Sequence, residues 1–216
     1  MDERIKELFN MCRDSDFSES RAEELLDAID VNEPYGEGGD QMTLLSEACL
    51  CTNLKMARLL LEKGADPNYI LFADRPLRRE NPFWDLQYNV YDDEFYESSE
   101  ENKKIADAAD EDNLEIARLC LEYGANPSLT LEGEDLFSYV LFAVVENEDD
   151  FRMTEYRRRF LILLVAYGGK SKYCRPQIFK PFDKSNMRQY RLYLFRNGNC
   201  DIVDDNHETV AVISGE

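Results

Sequence analysis

Two segments of the chain, whose first residues are 60 positions apart, are close copies of each other. The first reads Asn53-Leu-Lys-Met-Ala-Arg-Leu-Leu-Leu-Glu-Lys-Gly-Ala-Asp-Pro-Asn68, and the second reads Asn113-Leu-Glu-Ile-Ala-Arg-Leu-Cys-Leu-Glu-Tyr-Gly-Ala-Asn-Pro-Ser128; ten of sixteen positions are identical, without a gap. A match of this length indicates a duplicated structural unit. Because a short unit buries its apolar face only by stacking on a neighbour, the chain is constrained to a fold built from repeats.

Each copy has the features of a short amphipathic helix with a defined start and end. Asn53 and Asn113 are predicted to cap the first free amides of their helices. Apolar residues then recur at i, i+3 and i+4, namely Met56, Leu59 and Leu60 in the first copy and Ile116, Leu119 and Cys120 in the second. Gly64 and Gly124 supply the positive φ that ends each helix, and a proline three residues later prevents its resumption.

Residues 40–68 resemble the ankyrin repeat. Thr43-Leu-Leu-Ser-Glu-Ala-Cys49 is similar to the Thr-Pro-Leu-His-x-Ala opening of that repeat's first helix, and residues 59–66 match the end of its second. Leu44 replaces the proline, and Ser46 replaces the histidine, which removes a capping network usual in the family. The resemblance implies a mainly α fold, an ankyrin-repeat solenoid of about three to four helix pairs.

The second copy is preceded by extra sequence that two arrangements accommodate. Gly64 and Gly124 are 60 residues apart, 27 more than the family period of 33. In the favoured arrangement Asn81-Pro82-Phe-Trp-Asp-Leu86 begins the first helix, because Pro82 suits a first helical turn. The insertion then occupies about 89–104. In the alternative, residues 103–109 form the first helix and 70–102 form a long loop.

Under the favoured arrangement, residues 101–123 are predicted to form one long second helix. Its inward face would carry Ile105, Ala109, Ile116 and Leu119.

The whole chain is predicted to divide into three parts. Residues 1–34 form an N-terminal helical capping repeat, 35–170 the ankyrin repeats, and 171–216 a C-terminal cap. The repeats are 40–68, about 77–128 with the insertion, and about 132–170. In the cap, alternation and the Asn197-Gly198 turn signal predict a small antiparallel β element, a β-hairpin within 189–213, although residues 190–195 could also form a short helix.

The charge distribution favours a basic partner. The formal net charge is −20, yet residues 156–196 hold 11 basic residues and one acidic residue, so the rest of the chain carries −30. Such a field repels nucleic acid and anionic membrane over most of the surface and attracts basic proteins. The segment 156–196 is the one stretch of the sequence whose positive charge would attract an anion.

The sequence contains no recognisable catalytic or metal-binding motif. Gly168-Gly169-Lys170-Ser171 lacks the earlier glycine of a phosphate-binding loop, because position 164 is Leu164, and it follows a predicted helix. The single histidine, His207, and six scattered cysteines make a structural zinc site improbable. We therefore predict no enzyme activity, no metal and no cofactor. The charged N-terminus, the absence of a long apolar run and the unpatterned cysteines predict a cytoplasmic protein with reduced thiols and no membrane association.

An aromatic-rich segment is the best candidate for a binding surface. Residues 69–96 hold eight of the 25 aromatic residues. Tyr, Trp and Arg dominate the hot spots of interfaces. The predicted partner-binding residues are Tyr69, Phe72, Arg75, Arg78, Trp84, Tyr88, Tyr91 and Tyr96. For Trp84, burial in the core between repeats is the competing interpretation. Acidic residues at 92–101 would rim this patch.

Two functions follow as hypotheses. The first is a non-enzymatic protein-protein interaction module that binds a basic protein, as an inhibitor or immunity-type protein in its sharpest form. The second is an anion- or nucleic-acid-binding adaptor that uses 156–196. Its candidate residues are Arg157, Arg158, Arg159, Lys170, Lys172, Arg175 and Lys180, beside Tyr173 and Phe179.

Overall fold

The computed structural model describes residues 2–36, 41–72, 79–131, 133–146, 151–195 and 199–214, and these residues are mainly helical. The α-helices are α1 (Glu3–Cys12), α2 (Glu19–Leu26), α3 (Leu44–Leu50), α4 (Leu54–Glu62), α5 (Pro82–Asp85), α6 (Asp93–Glu97), α7 (Glu100–Glu122), α8 (Leu136–Glu146) and α9 (Phe151–Ala166). The strands are β1 (Leu71–Phe72), β2 (Arg79–Glu80), β3 (Thr130–Leu131), β4 (Glu134–Asp135), β5 (Gln177–Ile178), β6 (Arg191–Leu194), β7 (Cys200–Val203) and β8 (Thr209–Ile213).

The chain folds into two compact units. The first contains Met1–Asn89 and Lys104–Ala125, and the second contains Val90–Lys103 and Asn126–Glu216. The insertion predicted at about 89–104 therefore belongs almost entirely to the second unit, although both of its flanks belong to the first.

In the first unit, the first helices of successive helix pairs pack side by side. Helix α3 contacts its own partner α4 and also α1 and α5. Its core is formed by side chains that are at most 1% exposed, among them Leu44, Leu45, Leu60 and Phe83. This packing agrees with a mainly helical repeat fold. A continuous solenoid over the whole chain stays a prediction.

The asparagine cap predicted for the first copy is present. The Asn53 side-chain oxygen accepts a hydrogen bond from the Met56 amide at 3.0 Å. Its side-chain nitrogen donates to the carbonyls of Met11 and Cys12, at 3.0 and 3.1 Å, so Asn53 also joins α4 to the end of α1. The predicted cap at Asn113 is wrong, because the extra sequence extends the helix upstream and places Asn113 inside α7.

Two asparagines 36 residues apart, Asn32 before the first copy and Asn68 at its end, make equivalent hydrogen bonds. Asn32 Nδ2 donates to the Gly64 carbonyl at 3.0 Å, and Asn68 Nδ2 donates to the Gly124 carbonyl at 2.9 Å. Both glycines have a φ of at least +90°, as their place at a helix end predicts. These bonds tie the end of each helix pair to the turn of the preceding one.

The favoured arrangement of the second copy is confirmed in its helices, with a correction to the buried face. Asn81 caps α5 by accepting from the Trp84 amide at 2.8 Å, and α7 is one helix of 23 residues. Ile116 and Leu119 are buried, whereas Ile105 is 45% exposed and Ala109 is half-buried. The prediction that Ile105 faces inward is wrong. In the part of α7 before Asn113 only Ala106 is buried, because this part of the helix extends beyond the core of the repeat.

The second unit combines a helix pair with a small sheet. Helices α8 and α9 pack on each other, and α9 contacts β6. The four-stranded sheet has the order β5-β8-β7-β6, with every pair antiparallel. This confirms the antiparallel β element predicted at the C-terminus and excludes a helix at 190–195. Asn197-Gly198 lies outside the described residues. Inward side chains of the sheet, such as Leu192, Ile202 and Val210, are at most 8% exposed.

Candidate functional site

The insertion has its own local structure. Helix α6 begins at the cap Asp92, whose Oδ1 accepts from the Phe95 amide at 2.7 Å. It ends where Ser98 Oγ donates to the Phe95 carbonyl at 2.6 Å, and Asn102 Nδ2 in α7 donates to Ser98 Oγ at 2.7 Å. Because both ends of α6 are satisfied by side chains, the short helix holds its aromatic residues in fixed positions.

Two aromatic rings of the insertion stack on each other at the surface. The ring centres of Tyr91 and Phe95 are 4.5 Å apart, with an angle of 19° between their planes. Tyr91 is 42% exposed and Phe95 is half-buried. A stack of this kind presents a rigid aromatic face with little side-chain entropy left to lose on binding.

A buried arginine anchors the insertion within the second unit. Arg152, in α9, is only 7% exposed. Its Cζ lies 4.2 Å from the centre of the Tyr96 ring, and its Nη1 donates to the Tyr91 carbonyl at 3.1 Å. The desolvated guanidinium is attracted to the negative face of the ring, and the hydrogen bond fixes the main chain beside the Tyr91–Phe95 stack.

The aromatic stack stands among exposed carboxylates. Residues 90–103 contain six acidic residues and one basic residue, Lys103. Five of the acids are exposed and one is half-buried; they are Asp92, Asp93, Glu94, Glu97, Glu100 and Glu101. Lys103 is engaged, because its Nζ donates to Glu100 at 2.7 Å, and this hydrogen bond raises the pKa of Lys103 above its usual value. We call the stack, Tyr96 and the six acids the insertion surface.

The eight predicted partner-binding residues do not share one environment. Tyr91 and Tyr96 belong to the insertion surface in the second unit. In the first unit, Tyr88 is 43% exposed and Tyr69 is half-buried, whereas Trp84 is 7% exposed. Trp84 is therefore a core residue, as the competing interpretation held, because α5 turns it inward against the neighbouring helix pair. Phe72 lies in β1, its side chain outside the described set, and Arg75 and Arg78 lie outside the described residues.

Sequence reasoning missed Arg152 as a determinant of this site. It lies 61 residues after Tyr91 and stands at the start of α9, in a stretch that reads as an ordinary charged helix end. No local pattern distinguishes an arginine that stacks on a distant tyrosine from one in solvent. Only the tertiary packing of the second unit reveals it.

The basic segment 156–196 contains buried, half-buried and exposed basic residues. Arg157 is 4% exposed and is therefore unavailable to an anion, contrary to the prediction. Its burial follows from its position on the inward face of α9. Arg158 is half-buried and pairs with Glu155 at 3.3 Å, and Arg159 is half-buried as well. Among the described residues of the segment, the exposed basic ones all lie between Gly169 and residue 195.

The buried cysteine thiols are poorly suited to act as nucleophiles. All six cysteines are free, and all except Cys51 are buried. Burial raises the pKa of Cys12 and raises that of Cys200 to about 11, which disfavours the nucleophilic thiolate. Across the described ranges, no group of three or more His, Cys, Asp and Glu residues is placed to hold a metal ion, and no helix is long and apolar enough to cross a membrane.

Comparison with known proteins identifies one repeat. Residues 40–68 match the family model of the ankyrin repeat, in agreement with the resemblance seen in the sequence. Ankyrin repeats mediate protein–protein interactions and are typically non-enzymatic. The chain therefore carries a protein-interaction repeat. No curated protein matches the sequence.

Proposed function

We propose that the chain is a non-enzymatic interaction module that binds a basic protein through the insertion surface. The observation that supports it best is the exposed Tyr91–Phe95 stack set among six acids and anchored from beneath by Arg152. Aromatic anchors give affinity once they are desolvated, and a carboxylate rim speeds the encounter with a positively charged surface.

The interaction already made inside the chain supports this choice of partner. Tyr96 accepts the guanidinium of Arg152 on its ring, so the insertion uses an aromatic face to bind a cation. The exposed face of the neighbouring stack offers the same chemistry, with Asp92 and Glu94 beside it, to an arginine or lysine of another protein. A module that covers a basic functional surface in this way would act as an inhibitor or immunity-type protein.

Tyr69 and Tyr88 remain candidates for a further contact in the first unit. They are half-buried and exposed, respectively, and ankyrin turns and first helices commonly line the binding face of the family. We place the partner in the same cytoplasmic compartment, since free thiols suit a reducing environment.

Affinity capture with matched variants tests the proposal. The wild-type protein, Tyr91→Ala, Asp92→Lys/Glu94→Lys and the control Glu62→Lys, an exposed acid of α4, are used as baits in lysate of the source cells. We expect a basic protein that the wild type and the control retain and that the two insertion variants lose. Calorimetry with the purified partner should then show at least tenfold weaker binding for Tyr91→Ala. Retention of every captured protein by all four baits would overturn the proposal.

A further inference from the structure

The chain between Gly169 and residue 195 presents a second surface of opposite charge. It contains seven basic residues, all exposed, and one acid, Asp183. The seven are Lys170, Lys172, Arg175, Lys180, Lys184, Arg188 and Arg191. Because this segment lies wholly inside the second unit, its positive charge is concentrated in that unit.

Four aromatic side chains of the same segment stand in solvent. The exposed fractions are 62% for Tyr173, 61% for Phe179, 48% for Tyr193 and 49% for Phe195. Lys172 stands over the Tyr173 ring, with its Nζ 4.7 Å from the ring centre. Large exposed rings interleaved with cations are the composition that single-stranded nucleic acids use as a stacking platform.

The strand register places two of these groups, Arg191 and Tyr193, on the outer face of the sheet. Burial alternates along β6, so Arg191 and Tyr193 point away from the core, and Leu192 points into it. Tyr193 pairs with Asp201, Asp201 with Val212, and Val212 with Gln177, which defines one row across all four strands. The sheet is about 14 Å wide, three strand spacings.

Cations border this face at both edges. Arg191 pairs with Val203 at the β6 edge. At the β5 edge, the amides of Phe179 and Lys180 both donate to the Val210 carbonyl, at 2.8 and 3.2 Å. A strand that crosses the face would thus meet the exposed Arg191 and Tyr193 at the β6 edge. At the β5 edge it would meet the exposed Phe179 and Lys180, whose ammonium pairs with Glu208.

We propose that this surface, residues 170–195 with the outer face of the β5-β8-β7-β6 sheet, binds single-stranded nucleic acid. An acidic protein segment would satisfy the cations but seldom carries several planar groups in succession, whereas every base of a single strand has a π-face that can stack on a ring. A duplex keeps its bases stacked on each other and so would leave the rings unused. The inference stands apart from the insertion surface and its basic protein partner.

One acid, Asp201, pairs with Tyr193 inside the row that crosses the sheet, and four more acids lie in the same part of the chain. Asp183, Asp201, Asp204, Asp205 and Glu208 are the acids of the described part of 170–214. Glu208 pairs with Lys180, Asp204 accepts the amides of Asn206 and Glu208, both at 2.9 Å, and Asp183 accepts the Ser185 amide at 3.0 Å, so three of the five are engaged. At physiological salt the screening length is roughly 8 Å, so only charges close to the surface act strongly on a bound strand.

Fluorescence anisotropy with the intact protein tests the inference. The probe is a labelled oligo(U) or oligo(dT) of about twelve nucleotides, titrated at about 50 and 200 mM salt. We expect binding whose log–log salt slope is about −2 to −3, the value for three or four phosphate contacts of a single strand. The test variants are Lys172→Glu/Arg175→Glu for charge, and Phe179→Ala and Tyr193→Ala for stacking.

Matched controls separate the site from general electrostatics. Lys104→Glu/Lys6→Glu makes the same charge change in the first unit, and Phe142→Ala removes a ring that is 62% exposed in α8. We expect the charge variant to weaken binding at least tenfold, each stacking variant about fivefold or more, and the controls to bind as the wild type does. No binding at the lower salt, or binding that ignores both stacking variants, would overturn the inference. Equal affinity for duplex DNA would do so too.

Discussion

Asn89 and Asn113, on either side of the insertion, are joined by two hydrogen bonds. Asn89 Nδ2 donates to Asn113 Oδ1 at 3.1 Å, and Asn113 Nδ2 donates back to the Asn89 carbonyl at 2.5 Å. Asn89 Nδ2 also lies 2.9 Å from the Cys49 carbonyl, at the end of α3. Asn53 makes the same link one repeat earlier, to the end of α1. Asn89 therefore makes the bridge to the preceding helix pair that Asn53, the counterpart of Asn113, makes in the first copy.

Replacing Asn89 by Ala should destabilise the first unit by about 1 to 3 kcal/mol. The change removes the donor to Cys49, Thr52 and Asn113 and leaves buried acceptors without a partner. Urea unfolding followed by circular dichroism measures the loss. Because the two side chains share a bond, Asn89→Ala and Asn113→Ala should be less than additive in the double variant. Asn10→Ala, an exposed position on α1, is the control and should change the free energy of unfolding by less than about 0.5 kcal/mol.

The sequence predicts the helices well where apolar periodicity and turn chemistry agree. The Gly64 and Gly124 helix ends, the Asn53 cap and the α8–α9 pair all follow from local rules, because each depends on residues close in the chain. The Asn113 cap fails because a local rule cannot tell whether a helix starts at an asparagine or runs through it. Whether α7 begins at Asn113 or at Glu100 depends on the insertion, whose first part lies in the second unit.

Arg152→Met should loosen the insertion. The variant keeps much of the side-chain volume but removes both the guanidinium over Tyr96 and the donor to the Tyr91 carbonyl. A desolvated cation–π contact and one charged hydrogen bond together suggest a loss of about 2 kcal/mol or more. Hydrogen exchange should show faster exchange of the Phe95 and Tyr96 amides than in the wild type.

Lys103→Met is the matched control for this prediction. Lys103 also faces Tyr96, but its Nζ is 6.0 Å from the ring centre and its side chain is more than a third exposed. Solvent competes for that ammonium, so its removal should leave exchange at Phe95 and Tyr96 almost unchanged. Equal effects of the two substitutions would show that burial of the cation is not what anchors the insertion.

The candidate site was predicted only in part, because local sequence patterns do not encode tertiary packing. Composition indicates which residues suit an interface, and it drew attention to Tyr91 and Tyr96, which lie in the insertion surface. It cannot distinguish Trp84, which is buried, from Tyr88, which is exposed, because both are aromatic residues in the same stretch. Arg152 enters only through a contact across 61 residues of sequence, which no local pattern encodes.

Asp112→Asn should stabilise the protein near neutral pH and leave it unchanged in acid. Partial burial, with the neighbouring Glu111 and Glu115 charges, raises the pKa of Asp112 above 3.8. The folded state therefore binds this proton more tightly than the unfolded chain. The stabilisation that comes from this tighter proton binding is complete below the pKa of the unfolded state, and it is lost as the pH rises through the pKa of the folded state. At neutral pH the ionised carboxylate is a cost, which the amide removes.

Denaturant unfolding near pH 7 and near pH 3 measures this difference. The gain at the higher pH should stay below about 1 kcal/mol, because Asp112 is partly exposed and solvent screens its neighbours. Glu101→Gln, an exposed position of α7, serves as the control and should show no comparable gain. A stabilisation that is the same at both pH values would mean that packing rather than charge is responsible.

Gly168 should tolerate replacement by asparagine better than Gly169 does. Gly168 has a φ of +85° and no neighbour within 4 Å of a built Cβ, so it needs only a left-handed backbone. At Gly169, a Cβ would lie 2.8 Å from the Leu164 carbonyl oxygen and 2.9 Å from Phe137 Cδ2. Phe137 is fully buried, so the ring has little room to yield.

Gly168→Asn should therefore cost less than about 1 kcal/mol, since asparagine visits the left-handed region. Gly169→Asn and Gly169→Ala should each cost about 1 to 3 kcal/mol through overpacking. Thermal unfolding of the four proteins, wild type included, gives the order directly. If Gly168→Asn were the most destabilising of the three, backbone strain would outweigh the close approach of Gly169 to Leu164 and Phe137 at the end of α9.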